Sequence, residues 1–491
     1  MWGAGFALFA LISAATVLVT GCVSEERYHY RRIVSDYDRP VLADHRFDTE
    51  TPAPTALPEP GAPVGLEEAV RIALENNPDM DAAVARIRQS EAIIDQAMAA
   101  FWPAVSAYSE YTAGDAPSAY FFKTIDQRNL PSQLNFNDPG SFKNLEIGLR
   151  ARMNLFRGGR DYLRKRMAET GLEIRQLDRL SVQNGLVTSV IHAYFNTLAA
   201  EDFVRIAGES VETVQTQLRI MRVRFRAGGV LKSDVLSLEV RLAQAREDLI
   251  RSRNGLSLAL ASLANLMGLD PDTGMQIEEA GRVAVDLPPG YAQGLPIAMA
   301  HRPELEKARL AVISSRMGVD AARGEYLPRV DALAHYYFAD EGARFDADRA
   351  NWTAGVILDW ELFSGGGTGS AVREAEGVLE EMLAADRKAA LSVKLDLRTA
   401  YLALDEAEAR VEVSRASVAR AEESLRLVKK QYEGGSATVT RYLDAEMDRR
   451  WSEIRASAAR YDLEKARADV CRALGRWAGL QVLSVGSRCE E

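Results

Sequence analysis

The segment FSGGGTGS, residues 363–370, has the composition of a loop that cradles phosphate: clustered glycines that follow a predicted strand and open a predicted helix. It lacks the Gly-Lys-Ser/Thr ending and the GxGxxG spacing that phosphate binding requires. Its counterpart FRGGRD, residues 156–161, has fewer glycines still. What both supply is backbone freedom, so Gly158, Gly159, Gly365 and Gly366 are expected to turn a strand sharply into a helix. Other chemistry is as poorly provided for. The five histidines are scattered, with His335 inside a predicted strand, and there are only three cysteines. No HExxH, Ser/His/Asp or paired-carboxylate pattern stands out. These residues point to no enzyme, metal site or bound cofactor, and the surrounding elements must carry the function.

The 60 basic and 70 acidic residues leave a net charge of −10, which argues against nucleic acid as the main partner. Residues 1–21 carry no charged side chain and have the length of a secretory signal or a short spanning helix. Val19-Thr20-Gly21-Cys22 then resembles the lipobox of bacterial lipoproteins, in which the cysteine is acylated and becomes the new N-terminus. Cys22 is therefore the expected lipidation site, with an uncleaved anchor or a plain buried cysteine as the alternatives. No Lys or Arg precedes the apolar run, a departure that a displaced start would explain. Val23 stands where an aspartate would favour the inner membrane, so the resemblance favours the outer membrane. No later stretch is long and apolar enough to span as a helix, so any further crossing must be made by strands. In an oxidising compartment Cys471 and Cys489 are compatible with a disulfide, or with a buried Cys471 and a mobile Cys489.

The chain repeats itself. Asn77-Pro78 returns as Arg302-Pro303 (303 − 78 = 225), and Phe101-Trp102-Pro103 returns as Tyr326-Leu327-Pro328 at the same offset. Leu155-Phe156 returns as Leu362-Phe363 (362 − 155 = 207), an offset that Tyr194 and Tyr401, Phe225 and Tyr432, and Gly268 and Gly475 share. One length change between Pro103 and Leu155 reconciles the two offsets. The organisation read from this is a signal peptide at 1–21, an acylated N-terminus and linker at 22–65, a first repeat at 66–268, a connector at 269–294, a second repeat at 295–475 and a tail at 476–491. The linker ends in the Pro-rich TPAPTALPEPGAPVG, residues 51–65, which is not expected to pack.

Each repeat reads helix, strand, strand, helix. Short helices at 66–77 and 295–302 stop before prolines, and amphipathic helices at 78–101 and 303–325 follow. Long proline-free helices cover 160–226 and 368–433, and helices at 231–267 and 437–474 close the repeats. Leu231, Val235, Leu238, Leu242, Ala245 and Leu249 recur at steps of four and three, the seam of a coiled coil. A helix of this greater length rises about 100 Å, and the two shorter ones together nearly match it. Strands are expected near 104–111, 145–155, 329–338 and 352–362. In the second, Leu145, Ile147, Leu149, Ala151, Met153 and Leu155 alternate with polar residues. Trp352, Trp360, Tyr336 and Phe338 suit the outer face of a membrane barrel with aromatic girdles. Four strands are too few to close, since about eight make the smallest useful barrel. Three copies would give twelve.

The repeat, the LFxGG exit from its second strand and the turns after Phe225 and Tyr432 resemble the TolC family of trimeric outer-membrane factors, over roughly residues 66–476. The lipobox points to its lipoprotein branch, associated with tripartite efflux. The resemblance implies a mainly α chain whose four strands join those of two other copies in a twelve-stranded barrel continuous with an α-helical barrel. The implied partners are two more copies, outer-membrane lipid, a periplasmic adaptor and an inner-membrane RND-type pump. The implied function is a passive exit duct for efflux, with the exit duct of a type I protein secretion system as alternative and a structural coiled-coil lipoprotein as a different class. The aromatic-faced strands count against the last.

By the same resemblance the far tip holds the aperture, with adaptor docking at the turns bearing Gly228, Gly229, Gly434 and Gly435. Asp444 matches a position of acidic rings, with an ordinary solvated helix site as alternative. Asp234, Tyr432 and a basic residue would form a lock, against which ordinary helix-end packing is weighed. Ala437 stands where a locking arginine is found in the best-known members, which leaves Asp234 and Arg441 as the candidate pair. The long 112–143 loop is expected to face outside, with a cap over the pore or a surface seen by phage as its alternative roles.

Overall fold

The computed structural model of the protein describes residues 63–279, 283, 286–342 and 350–478. The apolar run 1–21, Cys22, residues 51–62 of the Pro-rich stretch, and Cys489 in the tail lie outside the described residues.

The described chain falls into two halves built alike. The first half has α1 (Leu66–Asn76), α2 (Pro78–Met98), α4 (Arg160–Arg226) and α5 (Lys232–Leu266), of 11, 21, 67 and 35 residues. The second half has α6 (Tyr291–His301), α7 (Pro303–Arg323), α8 (Gly367–Glu433) and α9 (Val439–Ala473), again of 11, 21, 67 and 35 residues. Proline opens α2 and α7, where its missing N–H costs nothing. Left-handed glycines precede the long helices, at Gly159 and Gly366.

The shorter helices join end to end beside the long ones. After α5 the chain turns through Gly268 (φ 71°), packed so closely on the Asn76 carbonyl that a Cβ would collide with it. Asn77 completes the joint by donating from Nδ2 to the Leu266 carbonyl at 2.9 Å. In the second half Gly475 (φ 77°) faces the His301 carbonyl in the same way. There Arg302 takes the asparagine's place, donating to the Ala473 carbonyl at 3.3 Å and pairing with Asp396 at 2.6 Å. Burial works against the Asp396 carboxylate, but hydrogen bonds from Arg472 and Arg302 outweigh it and hold its pKa below the usual range.

Two short strands tie down the start of the described chain. β1 (Pro63–Val64) pairs in parallel with β4 (Gln276–Ile277), and Val64 is only 2% exposed. The Pro-rich stretch therefore packs at its end, contrary to the expectation for residues 51–65. Val64 meets a complementary segment of the connector, and the Tyr194 hydroxyl donates to both the Val64 and Glu278 carbonyls, at 2.9 and 2.7 Å. Around this point Val190, Ile191, Phe195, Leu263, Met267 and Trp477 form the largest buried cluster. Tyr401, the repeat counterpart of Tyr194, donates to the Pro288 carbonyl at 2.9 Å.

The other four strands make one antiparallel sheet in the order β2 (Ala104–Gly114), β3 (Phe142–Arg157), β5 (Arg329–Asp340), β6 (Ala350–Asp359). The central pair joins the two halves, and β2 and β6 are left as open edges. The usual relation of burial to polarity is inverted. Apolar side chains are bare, with Trp352 76% and Val356 65% exposed, whereas Asn144 and Glu146 on the polar face are 0% and 6% exposed. The loop between β2 and β3 contributes the cover: it folds into α3 (Pro117–Asp126), which lies on that polar face. The expectation for the 112–143 loop includes no helix, and α3 is what the structure adds to it.

The turn from β3 into α4 is wedged against the second half. A Cβ on Gly158 (φ 62°) would collide with the Gly324 carbonyl oxygen, and one on Gly324 would lie 2.5 Å from the Gly158 oxygen. Next to it Gly159 (φ 76°) has open space around it. Gly158→Ala is therefore expected to cost about 2–4 kcal/mol, through both steric overlap and left-handed strain, against about 1–2 kcal/mol for Gly159→Ala. Denaturant midpoints of the two variants in detergent check the order.

Candidate functional site: the tip of the long helices

At the end of the long helices farthest from the sheet, two tight turns lie side by side. In the first, Gly228 takes φ 77° and Gly229 donates its N–H to the Arg224 carbonyl at 2.9 Å. In the second, Gly435 takes φ 77° and Gly434 donates to the Lys430 carbonyl at 3.0 Å. Gly228 and Gly435 are repeat counterparts (435 − 228 = 207), so the left-handed residue falls at the same place in each half. Behind the turns Leu218, Met221, Leu238, Tyr442 and Leu443 bury one another and bind the two hairpins together.

The candidate lock residues do not meet as a set. Asp234 caps its own helix, accepting the Leu231 N–H at 3.2 Å. Arg441 is its repeat counterpart (441 − 234 = 207), at the same turn of α9, where Thr438 caps the helix by accepting the Arg441 N–H at 3.3 Å. Within the chain no ion pair joins Asp234 to Arg441, whose side chain is exposed. Tyr432 is held elsewhere: its ring stacks on Tyr442 (centroids 5.4 Å, planes 20° apart), with the Arg224 guanidinium 5.6 Å from its centre. Burial pushes the Tyr432 phenol above its ordinary pKa, with the charge of Asp234 adding to the rise and that of Arg224 opposing it. Arg224 and Tyr442 were not among the residues singled out from sequence. Only the fold puts the end of α4 beside the end of α8. Tyr442 also donates to Glu446 at 3.1 Å.

Asp444 is exposed and makes no ion pair among the described residues. Higher up, a cleft of about 330 Å³ separates α4, α5 and α9, lined by Arg241, Asp248, Glu446, Arg449 and Trp451. Arg450 closes it by pairing with Asp248 at 2.9 Å. Among the described residues no three His, Cys, Asp or Glu side chains are grouped to hold a metal. No helix among them is long and apolar enough to cross a membrane. Cys471 is a free, fully buried thiol whose pKa burial pushes up to about 12.

The family model of the outer membrane efflux protein matches residues 69–269 and 295–476, one segment per half. The chain belongs to the outer membrane efflux protein family. It is 25% identical over 391 residues to the pyoverdine export outer membrane protein OpmQ of Pseudomonas aeruginosa, covering 79% of each chain. It is 27% identical over 340 residues to the alkaline protease secretion protein AprF of the same species, covering 66% of each. Among solved structures, the CmeC outer membrane channel of Campylobacter jejuni superposes with a TM-score of 0.72 at 16% identity, over 89% of this chain and 93% of that one. As a member of this family of channel-forming proteins, the protein is an outer-membrane efflux channel component.

Three substitutions test the tip. Asp444→Asn is expected to reduce cation preference by about twofold, read from reversal potentials across planar bilayers. Arg224→Ala is expected to raise the frequency of openings in the same recordings, whereas Arg441→Ala leaves it at the starting value.

Proposed function

We propose that three copies of the chain make one passive exit duct of a tripartite efflux pump, crossing the periplasm as an α-helical barrel and the outer membrane as a twelve-stranded β-barrel. The observation that carries this reading is the sheet, which has a bare apolar face and two unpaired edge strands. Water rejects the first and lipid the second, and only a closed wall answers both.

The duplication specifies how the wall closes. Inside the chain β3 pairs with β5 so that Leu149 faces Tyr336. Carried to the outer edges by the repeat offsets (149 + 207 = 356; 336 − 225 = 111), the same contact places Val356 of one copy against Tyr111 of the next. The turns obey the same logic. Gly158 rests on Gly324, while its counterpart Gly365 has nothing within 4 Å, a space that the neighbouring copy's Ala99, counterpart of Gly324, would take. β6 stops at Asp359, short of the expected 362, because residues 329–332, which pair the end of β3, have their counterparts at 104–107 in β2, at the opposite edge of the sheet. In the trimer the strand would run on, covering Leu362 and Phe363, of which the latter is 85% exposed.

Substrate would move because a periplasmic adaptor and an inner-membrane RND-type pump drive it. Cys22 would carry covalent lipid in the outer membrane, with no other cofactor. Similarity to AprF supports a second reading, the exit duct of a type I protein secretion system. Comparing drug sensitivity with secreted protein in a deletion strain separates the two.

A short linker reactive at both ends with thiols should join Val356→Cys to Tyr111→Cys and yield covalent trimers on reducing gels. The same-face pairs of Val356→Cys with Ser109→Cys or Ala113→Cys should join far less. Crosslinking in a shifted pair overturns the register, and a crosslinked species of another size overturns the trimer.

A further inference from the structure

We propose that α3 and its flanking loop form a constriction in the outer mouth of the barrel, latched across the lumen face, which restricts what passes by size. The proposal rests on the duct reading above.

The latch sits at the end of the sheet away from the helices, near the hairpins. Lys123 pairs with Glu146 at 2.9 Å, and Glu146 also accepts a hydrogen bond from Tyr108. Gln127 donates from Nε2 to the Lys143 carbonyl and to Asn144 Oδ1, both at 2.8 Å. Tyr337 donates to the Asp126 carboxylate at 3.3 Å. At the far strand, Asn351 donates to the Asp126 carbonyl at 3.0 Å, and Arg128 to the Ala350 carbonyl at 3.2 Å. One helix thus bonds to β3, β5 and β6, most of the width that a single chain lends to the wall.

Burial on this face carries the argument further. Asn144 and Glu146 point to the side that an open barrel would fill with water, yet both are sealed. A carboxylate is kept in such a place only when paired, and Lys123 of the loop provides the pairing. On its other side the loop bares Phe122, Ile125, Leu130 and Phe136, with Phe121 and Phe136 in contact at 5.4 Å between ring centres. Around a threefold axis these apolar ends would face one another, and a narrow apolar passage resists water and large polar solutes. The hairpin of the second half has no such insertion, so each trimer would hold three of these helices. Driven substrate would have to displace them, whereas bulky polar solutes arriving from outside would be held back.

Single-channel recording in planar bilayers tests this. Purified wild-type trimers are compared with Lys123→Glu, with the swap Lys123→Glu/Glu146→Lys, and with residues 117–138 replaced by a short Gly-Ser linker. Lys123→Glu and the replacement should each raise conductance by at least about twofold, and the swap should return it to the wild-type level. A lock made of Gln127→Cys with Asn144→Cys should lower conductance when oxidised and recover with reductant, so the proposal stays testable if a charge variant misfolds. Lys123→Glu or linker-replaced trimers that insert and show wild-type conductance, or a lock without effect, overturn the constriction. Failure of the wild type to form any channel overturns the duct reading instead.

Discussion

The edges of the sheet are the constraint on which the rest depends. β2 and β6 each present a row of backbone N–H and C=O groups with no strand partner among the described residues, next to a face of bare aromatic and branched side chains. In water, exposing Val105, Tyr111, Leu149, Tyr336, Trp352 and Val356 costs on the order of 10 kcal/mol, comparable with the whole net stability of an ordinary domain. In lipid that face is welcome but the edges are not, because each unbonded backbone group costs several kcal/mol there. That conflict is what the proposed three-copy wall resolves.

Duplication makes the wall possible with one gene. The halves repeat helix for helix, and the same joint recurs in each, although Asn77 does in one what Arg302, with Asp396, does in the other. The joint matters because it lets two short helices flank a long one without a gap. Gly268 and Gly475 allow the backbones to approach, and the side chains of Asn77 and Arg302 satisfy carbonyls that a helix end leaves free. In each half the two shorter helices therefore run end to end beside the long one.

Much of this was legible in the sequence, for identifiable reasons. The first long helix was placed at 160–226, where it lies, because glycines bound it and no proline interrupts it. Strand alternation at 145–155 is visible because one face is apolar and the other polar, and it understates β3 at the ends, where the pairing runs on to Phe142 and Arg157. Other features depended on contacts that no local pattern announces. Val64 sits at the end of a stretch whose prolines promise extension, and its burial depends on residue 277, far along the chain. α3 lies in a loop rich in Pro, Ser, Asn and Asp, which reads as punctuation until Lys123 meets Glu146. At the tip, Asp234 was set in a lock with Tyr432, whereas its carboxylate caps its own helix and Arg224 is the cation beside the Tyr432 ring. Helix-end chemistry and lock chemistry use the same residue types, and only the packing of α4 against α8 separates them.

The central claim is that a single copy cannot stand alone. The most direct measurement is the mass of the purified full-length protein by light scattering, with and without detergent. The account predicts a particle of three chains that needs detergent to remain in solution. A folded single chain, stable in plain buffer, would contradict it.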